Sequence, residues 1–352
     1  GSKLRLHYDM KALVEGPNGI LIVPNVAGDA FHGIFREPQN GSHAANADVG
    51  FLTFSGGNAS SRASYVEIPK GPGGKDILEG LHEVTVSAII NWTNDGENRW
   101  IFGFGTVLTP ETNKYLFATP RHGIGGRNPV AAGISKQGWP NEALITGVNN
   151  SMLSQGVWHH VVVTMSEEKD LLTLYVNGEK VSEGSAKGIQ LAEIIDPAAS
   201  FSGFLAKSIF TYDPYYRGSI ADFRVYEEAF TDARTLELYQ EAQAIISGLK
   251  QLTLDDAAES LDITAMLHAD DHDPQAITRN LTLPSVGKHG VAISWTSSRP
   301  EVLSHQGVVT RPDVDEEDAE VTLTAELSYQ GLSRAVQFHV KVLKQYDPEQ
   351  TA

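Results

Sequence analysis

Cysteine is absent from the 352 residues, which excludes disulfide staples and leaves no thiolate for nucleophilic chemistry or metal binding. Small secreted eukaryotic domains rely heavily on disulfides, so this absence leans toward a bacterial source. No apolar run approaches the roughly 18 residues that a membrane-spanning helix requires. Lysine and arginine total 27 against 44 aspartates and glutamates, and the formal net charge of -17 argues against a nucleic-acid partner, which calls for a basic face. Several catalytic signatures are missing as well. There is no Gly-x-Ser-x-Gly elbow and no Gly-x-x-x-x-Gly-Lys phosphate loop. A glycosidase needs two carboxylates spaced to work as acid and nucleophile. No Glu-x-Asp-x-x-Glu pattern occurs; Glu316, Asp318 and Glu320 have the wrong spacing, and the adjacent pairs Glu167-Glu168 and Glu227-Glu228 point to opposite faces. No secretory leader opens the sequence. Gly1-Ser2 reads as a remnant of tag cleavage, so the expectation is a piece of a longer protein.

What is present is a series of short alternating segments. Trp158-His-His-Val-Val-Val-Thr-Met165 and Leu172-Thr-Leu-Tyr-Val176 alternate with period two, the pattern of neighbouring strands. Asn177-Gly178 then turns the chain, the pair favoured where both turn residues need φ > 0. Leu4–Tyr8, Val49–Phe54, Tyr65–Ile68, Val84–Ile90, Trp100–Phe104, Tyr115–Ala118, Ala143–Thr146 and Phe223–Tyr226 continue the pattern between clusters of Gly, Asn and Pro. Many short strands with regular turns predict a sandwich or barrel. One long helix is expected from Thr231, its cap, to Ile246, stopped by Ser247-Gly248, and a short one over Asp255–Leu261. Beyond it, Arg279–Pro284, Ala292–Ser297, Gly307–Thr310, Val321–Leu327 and Ala335–Val342 predict about five further strands. The domain expectation is therefore 1–248, a linker with a short helix over 249–274, and a small all-β unit over 275–345.

The Trp-His-x-Val strand followed by Tyr-Val-Asn-Gly resembles the signature hairpin of laminin-G-like and concanavalin-A-like jelly rolls. Asn25-Val-Ala-Gly-Asp29-Ala-Phe-His32-Gly33 is similar to their early loop, and Gly218-Ser-Ile-Ala-Asp222-Phe-Arg-Val-Tyr226 to their closing strand. Leu281–Pro284, Ile293–Ser297, Gly307–Pro312 and Val321–Ala325 resemble the reduced, or atrophied, immunoglobulin-like modules of bacterial polysaccharide-degrading enzymes. The tandem is similar to accessory regions of family-43 and related glycoside hydrolases. The fold so implied is all-β: a concanavalin-A-like jelly-roll sandwich and a small immunoglobulin-like sandwich joined by a short helical linker. The function implied is non-catalytic carbohydrate binding in a secreted or cell-surface bacterial enzyme acting on arabinan, arabinogalactan or xylan. A plant-type glycan and a catalytic domain outside this chain are the implied partners. A purely structural spacer, a protein-binding adhesin and, last, an intrinsic glycosidase stay open beside it. The resemblance also implies a structural calcium ion between early loop and closing strand, where Asn25, Asp29 and Asp222 fall. Asn25, Ala27 and Asp29 replace the family's usual Asp, Ser and Asn.

Sugar sites combine aromatic faces with a few polar groups, and they favour loops. On that basis the candidate ligand-binding residues are Trp139, in the turn-like Gln137–Asn141; Arg121 and His122, with Arg127-Asn128, in a glycine-rich loop; and Tyr212 and Tyr215 before the last strand. Trp92, Trp100 and Trp158 lie in or beside strands and are expected in the core. His268-Ala-Asp-Asp-His272 has metal-like composition, but a loose linker seldom makes ligands converge, and it is expected to be solvated.

Overall fold

The computed structural model describes residues 3–37, 44–46, 49–61 and 63–351, so Gly1-Ser2 lie outside it. The chain divides into two compact units, Gly1–Ile246 and Ser247–Ala352.

The first unit is built from two antiparallel sheets. Among the described residues the first sheet runs in the order Glu179–Ser185, Leu171–Val176, His159–Ser166, Glu83–Trp92, Tyr215–Tyr226, Phe51–Gly57 and Ala44–Asn46, with Leu4–Tyr8 pairing on the far half of Tyr215–Tyr226. The second sheet runs Ala143–Thr146, Ala131–Ser135, Lys114–Thr119, Phe102–Thr106, Phe201–Leu205, Tyr65–Pro69, Gly33–Arg36, Leu21–Val23 and Val14–Glu15. Alternation sorts their side chains. In Glu83–Trp92, the residues Val84, Val86, Ala88, Ile90 and Trp92 enter the core that the sheets share, while Thr85 and Ser87 face the other way. In Lys114–Thr119, Leu116 and Ala118 face that core, and Tyr115 and Phe117 point outward into a separate aromatic cluster with Trp100, Phe204 and Phe210. Asn177 and Gly178 both have positive φ, 51° and 83°, as the expected tight turn requires.

The helix differs from the sequence expectation. A single helix spans Asp232–Glu259 and runs through Ser247-Gly248. Thr231 caps it as expected, accepting from the Arg234 backbone N–H at 3.1 Å. A helical glycine costs about 1 kcal/mol relative to alanine. Burial on the C-terminal side outweighs that: Leu254, Ala257 and Ala258 pack with Val291, Ile293, Ala325 and Leu327. Residues 249–274, expected as a linker, thus carry part of the second unit's core, with Met266 buried as well.

The second unit has one sheet of three strands, Ala292–Ser297, Ala319–Tyr329 and Leu332–Val342. The strands expected at Arg279–Pro284 and Gly307–Thr310 are reduced, among the described residues, to single bridges and hydrogen bonds, such as the Leu281 N–H to the Gly307 carbonyl at 2.8 Å. Pro284 lacks a donor, and Gly307, at φ 89°, breaks the extended run. Their apolar residues are still used, since Leu281 is buried beside Val321, Leu323 and Val340, and Leu283 and Val309 pack against the same cluster. Trp295 anchors the unit through its indole N–H to the Pro284 carbonyl, 2.8 Å. Asp271, in the His268–His272 segment, is a structural cap: it accepts from the Thr278 and Arg279 backbone N–H groups, 2.9 Å each, and from the Thr278 hydroxyl.

Candidate aromatic cleft on the outer face of the second sheet

A cleft of about 200 Å³ opens over the outward aromatic cluster of the second sheet. Trp100, Phe117 and Phe210 line it from the sheet side, and the Trp100 and Phe117 rings stack at 4.1 Å and 15°. Trp139 and Tyr212 stand at its edge, 61% and 53% exposed, which is unusual for rings so close to a packed core.

Local backbone chemistry fixes Trp139. Gly138 has φ 67°, and a Cβ there would sit 2.5 Å from the Pro110 carbonyl oxygen, so only glycine serves. Its N–H donates to the Asn113 carbonyl at 2.8 Å and its carbonyl accepts from the Ser135 hydroxyl. Tyr212 and Asp213 come from the loop between Phe201–Leu205 and Tyr215–Tyr226. That loop leaves the sheet through Ala206, a non-glycine residue at φ 63°. It is pinned by the Ser208 hydroxyl, which donates to Asp213 Oδ2 at 2.7 Å and accepts from the Phe210 N–H.

The polar groups are two carboxylates and a histidine. Glu142 accepts from the Tyr115 hydroxyl. Burial pushes its carboxyl up to about 7, opposed by that hydrogen bond and by Lys187, and raised further by Asp213. Burial pushes Asp213 up to about 6, opposed by Ser208 and Lys207 and raised by Glu97. His122 is held down to about 4 by burial and by Arg127. It is therefore neutral, and because Nδ1 accepts from the Ile124 N–H at 3.0 Å, Nε2 carries the proton and can donate. The cleft thus offers aromatic faces, one neutral N–H donor and two acids that ionise near neutrality.

Glu142 gives a pH prediction. Its pKa is higher folded than unfolded, so its contribution to stability is fully present below its ordinary pKa and is lost as pH rises through about 7. Glutamine does not titrate. The stability of Glu142→Gln relative to the parent therefore rises between pH 5 and pH 8 by on the order of 2 kcal/mol. Paired denaturant melts at the two pH values measure this directly; an unchanged difference would contradict the buried, strained carboxylate.

The structure brings His122, Trp139 and Tyr212 together, and it adds residues that the sequence did not single out for binding: Glu142, Asp213, Phe117 and Phe210. Trp100, expected in the core, is indeed 3% exposed, yet it also lines the cleft. Arg121 and Tyr215 do not line it. The Arg121 guanidinium is spent on Asn128 and Asn94 at 3.0 Å each, bracing the loop that carries His122. Tyr215 packs against Tyr65, ring centroids 6.1 Å apart.

Asn25 and Asp222 meet around His7, but not as a cation site. Asn25 Oδ1 accepts from the His7 and Ala27 N–H groups, and its Nδ2 donates to the Arg5 and Ala30 carbonyls at 3.3 and 2.8 Å. The loop carbonyls that a calcium ion would want are occupied by an amide. Both Asp222 oxygens are taken, one by His7 Nε2 at 2.7 Å and the other by Arg224 Nε at 2.8 Å. Asp29 is exposed and outside this network. A hard cation asks for six or more free oxygens, and this donor set does not fit one; the Arg224 guanidinium supplies the positive charge beside Asp222 instead. Melting curves of the protein with millimolar calcium and with chelator are expected to coincide. A calcium-dependent rise of several degrees that Asp222→Asn abolishes would restore the metal.

The two face-packed antiparallel sheets and their outer-face cleft define a jelly-roll sandwich. A family model described as the concanavalin A-like lectin/glucanases superfamily matches residues 60–235, half of the chain, and the chain belongs to that superfamily. A second model, the atrophied bacterial Ig domain, matches residues 254–345. Similar solved structures include domain 4 of an extracellular family-43 arabinanase from Geobacillus stearothermophilus, in complex with arabinotriose: 18% identity, 68% of this chain and 99% of that one, TM-score 0.44. Others are the carbohydrate-binding module of the Ruminococcus gnavus IT-sialidase bound to α2,3-sialyllactose (12%, 53% and 93%, TM-score 0.39) and the binding domain of botulinum neurotoxin DC in complex with rat synaptotagmin II (11%, 95% and 73%, TM-score 0.46). No curated protein matches the sequence.

Proposed function

We propose that the first unit is a carbohydrate-binding module whose ligand occupies the outer-face cleft. The observation that carries this reading is the pairing of two largely exposed rings, Trp139 and Tyr212, with Glu142, Asp213 and His122 in one aromatic-lined recess. A sugar ring has an apolar C–H face for the indole and phenol, and hydroxyls that donate to carboxylates and accept from an imidazole N–H. The larger context we propose is an accessory region of a secreted bacterial polysaccharide-degrading enzyme, with a plant-type polymer as ligand and a catalytic domain elsewhere as partner. The second unit serves as a spacer. Native affinity gels containing arabinan, arabinogalactan, xylan or fructan test this. At least one polymer is expected to retard the protein; mobility unchanged on all four would favour the structural-spacer reading.

Hydrolysis is the second reading, and one observation favours it. Glu142, raised toward neutrality, lies near Asp213, and paired carboxylates with separated environments are how glycosidases assign acid and base. We keep binding ahead of it because the Glu142 carboxylate is engaged by Tyr115 from within the sheet. No reducing ends are expected to accumulate from the retarding polymer. Turnover that Glu142→Gln removes would make the protein an enzyme.

A further inference from the structure

The aromatic surface does not stop at the cleft. Beyond Asp213 lies Lys207, whose ammonium sits over three rings at once: 5.0 Å from the Phe204 centroid, 5.3 Å from Tyr215 and 5.7 Å from Tyr65. Among the described residues its one hydrogen bond is a long one, 3.4 Å, to the Ser208 carbonyl. Burial holds its pKa below the ordinary lysine value, partly offset by Asp213. Tyr65 and Tyr215 are half-buried, as is Phe201, which stacks on Phe204 at 4.7 Å. A lysine seated among rings, with N–H donors to spare, is a poor structural element: a leucine there would pack without the desolvation cost. It is well suited to meet hydroxyl oxygens.

Strand order shows that this group and the cleft belong to one strip. Phe117 lies on Lys114–Thr119, and its neighbours in sequence across the sheet are Phe102–Thr106, Phe201–Leu205 and Tyr65–Pro69. Three strand spacings, about 14 Å at ~4.8 Å each, lead from Phe117 through Gly103 and Phe204 to Glu67, and Tyr65 lies two residues further along that strand, a length that roughly three linked sugar rings cover. The loop carrying Lys207, Tyr212 and Asp213 lies along it, with the residues that face the cleft at one end and Lys207 at the other.

We infer that the ligand runs across the strands, from Trp139 and Tyr212 past Lys207 to the Tyr65–Tyr215 pair, so that the module takes an internal stretch of a polysaccharide chain and not a single terminal sugar. This rests on the glycan reading of the cleft. Lys207 donates to ring or hydroxyl oxygens of the sugar beyond the cleft, and Tyr215 and Tyr65 receive the next ring face.

The test is a chain-length series. Oligosaccharides of one to six units, cut from whichever of the four polymers retards the protein, are titrated calorimetrically against the parent, Lys207→Met and Tyr215→Ala. Lys207→Met keeps most of the stem that touches the rings, and thermal melts verify that both variants fold. Parent affinity is expected to climb at least tenfold between the disaccharide and the tetrasaccharide. Lys207→Met is expected to flatten that step while leaving the disaccharide affinity within twofold of the parent. An affinity that levels off at the disaccharide overturns the strip but leaves the cleft reading intact. So does a Lys207→Met loss that is the same at every length, or no loss at all. If no polymer retards the parent and no oligosaccharide of arabinose or xylose binds, both readings fall together.

Discussion

Trp139→Ala is expected to weaken binding to the retarding polymer at least tenfold while leaving the melting temperature of the protein within a degree or two. The indole is 61% exposed, so the folded state loses little packing. Surface substitutions of this kind usually shift stability by less than about 0.5 kcal/mol. The ligand loses one of the two standing faces of its recess. A tenfold loss corresponds to roughly 1.4 kcal/mol, well within what one aromatic contact supplies. Parent affinity is expected on the order of 10 µM to 1 mM, because few ring contacts must offset the ordering of a flexible chain. Affinity electrophoresis and a thermal melt on the same preparation separate the outcomes. A large fall in stability would make Trp139 a core residue; unchanged retardation would place the ligand elsewhere.

The second large effect concerns Asp222. Its carboxylate is 6% exposed and joins His7, on the first strand, to Arg224, on its own strand, through bonds of 2.7 and 2.8 Å. Arg224 also reaches the Tyr226 hydroxyl at 3.1 Å. Burial opposes ionisation of Asp222, but the hydrogen bond with His7 and then the charge of Arg224 hold its carboxyl below the usual carboxylate range. Asp222→Ala leaves a partly buried guanidinium and imidazole without their acceptor. Breaking a buried ion pair from one side costs about 3 kcal/mol or more. Denaturant unfolding of the variant should show that loss, and calcium should not restore it. A cost under about 0.5 kcal/mol would mean that water replaces the carboxylate and that the network contributes little.

Much of the fold could be read from the sequence because strand alternation, the Asn177-Gly178 turn and the Trp158–Met165 strand act locally. What was not legible depended on distant partners. The helix was expected to stop at Gly248, and it continues to Glu259 because Leu254, Ala257 and Ala258 find apolar partners, Val291, Ile293, Ala325 and Leu327, well beyond the helix in sequence. Ala131–Ser135, a fully buried strand next to the edge strand of the second sheet, is not marked by its own sequence, since alanine and glycine carry weak strand preference.

The site was half legible for a similar reason. Trp139, His122 and Tyr212 are legible as aromatics and planar donors on loops. Glu142 and Asp213 were not, because nothing in their immediate sequence marks them; their character comes from burial beside rings contributed by other strands. One signal was available. Tyr115 and Phe117 alternate with Leu116 and Ala118, so a strand of this sandwich carries large apolar rings on both faces. A strand with one face in the core and aromatics on the other marks a covered or ligand-facing outer surface. The residues expected to hold a metal are engaged in another way. Asn25 accepts from the His7 and Ala27 backbone N–H groups, and the Asp222 oxygens are engaged by the His7 ring and the Arg224 guanidinium, partners that the two segments taken singly do not reveal.

The most direct measurement is a crystal structure of the protein with the longest oligosaccharide of the retarding polymer. A sugar ring is expected against the Trp139 indole, with hydroxyls in hydrogen-bond reach of Glu142, Asp213 or His122 Nε2. The account would be contradicted by a sugar seated on the first sheet instead, in the polar recess lined by Thr164, Thr173 and Tyr175, with the aromatic cleft left empty.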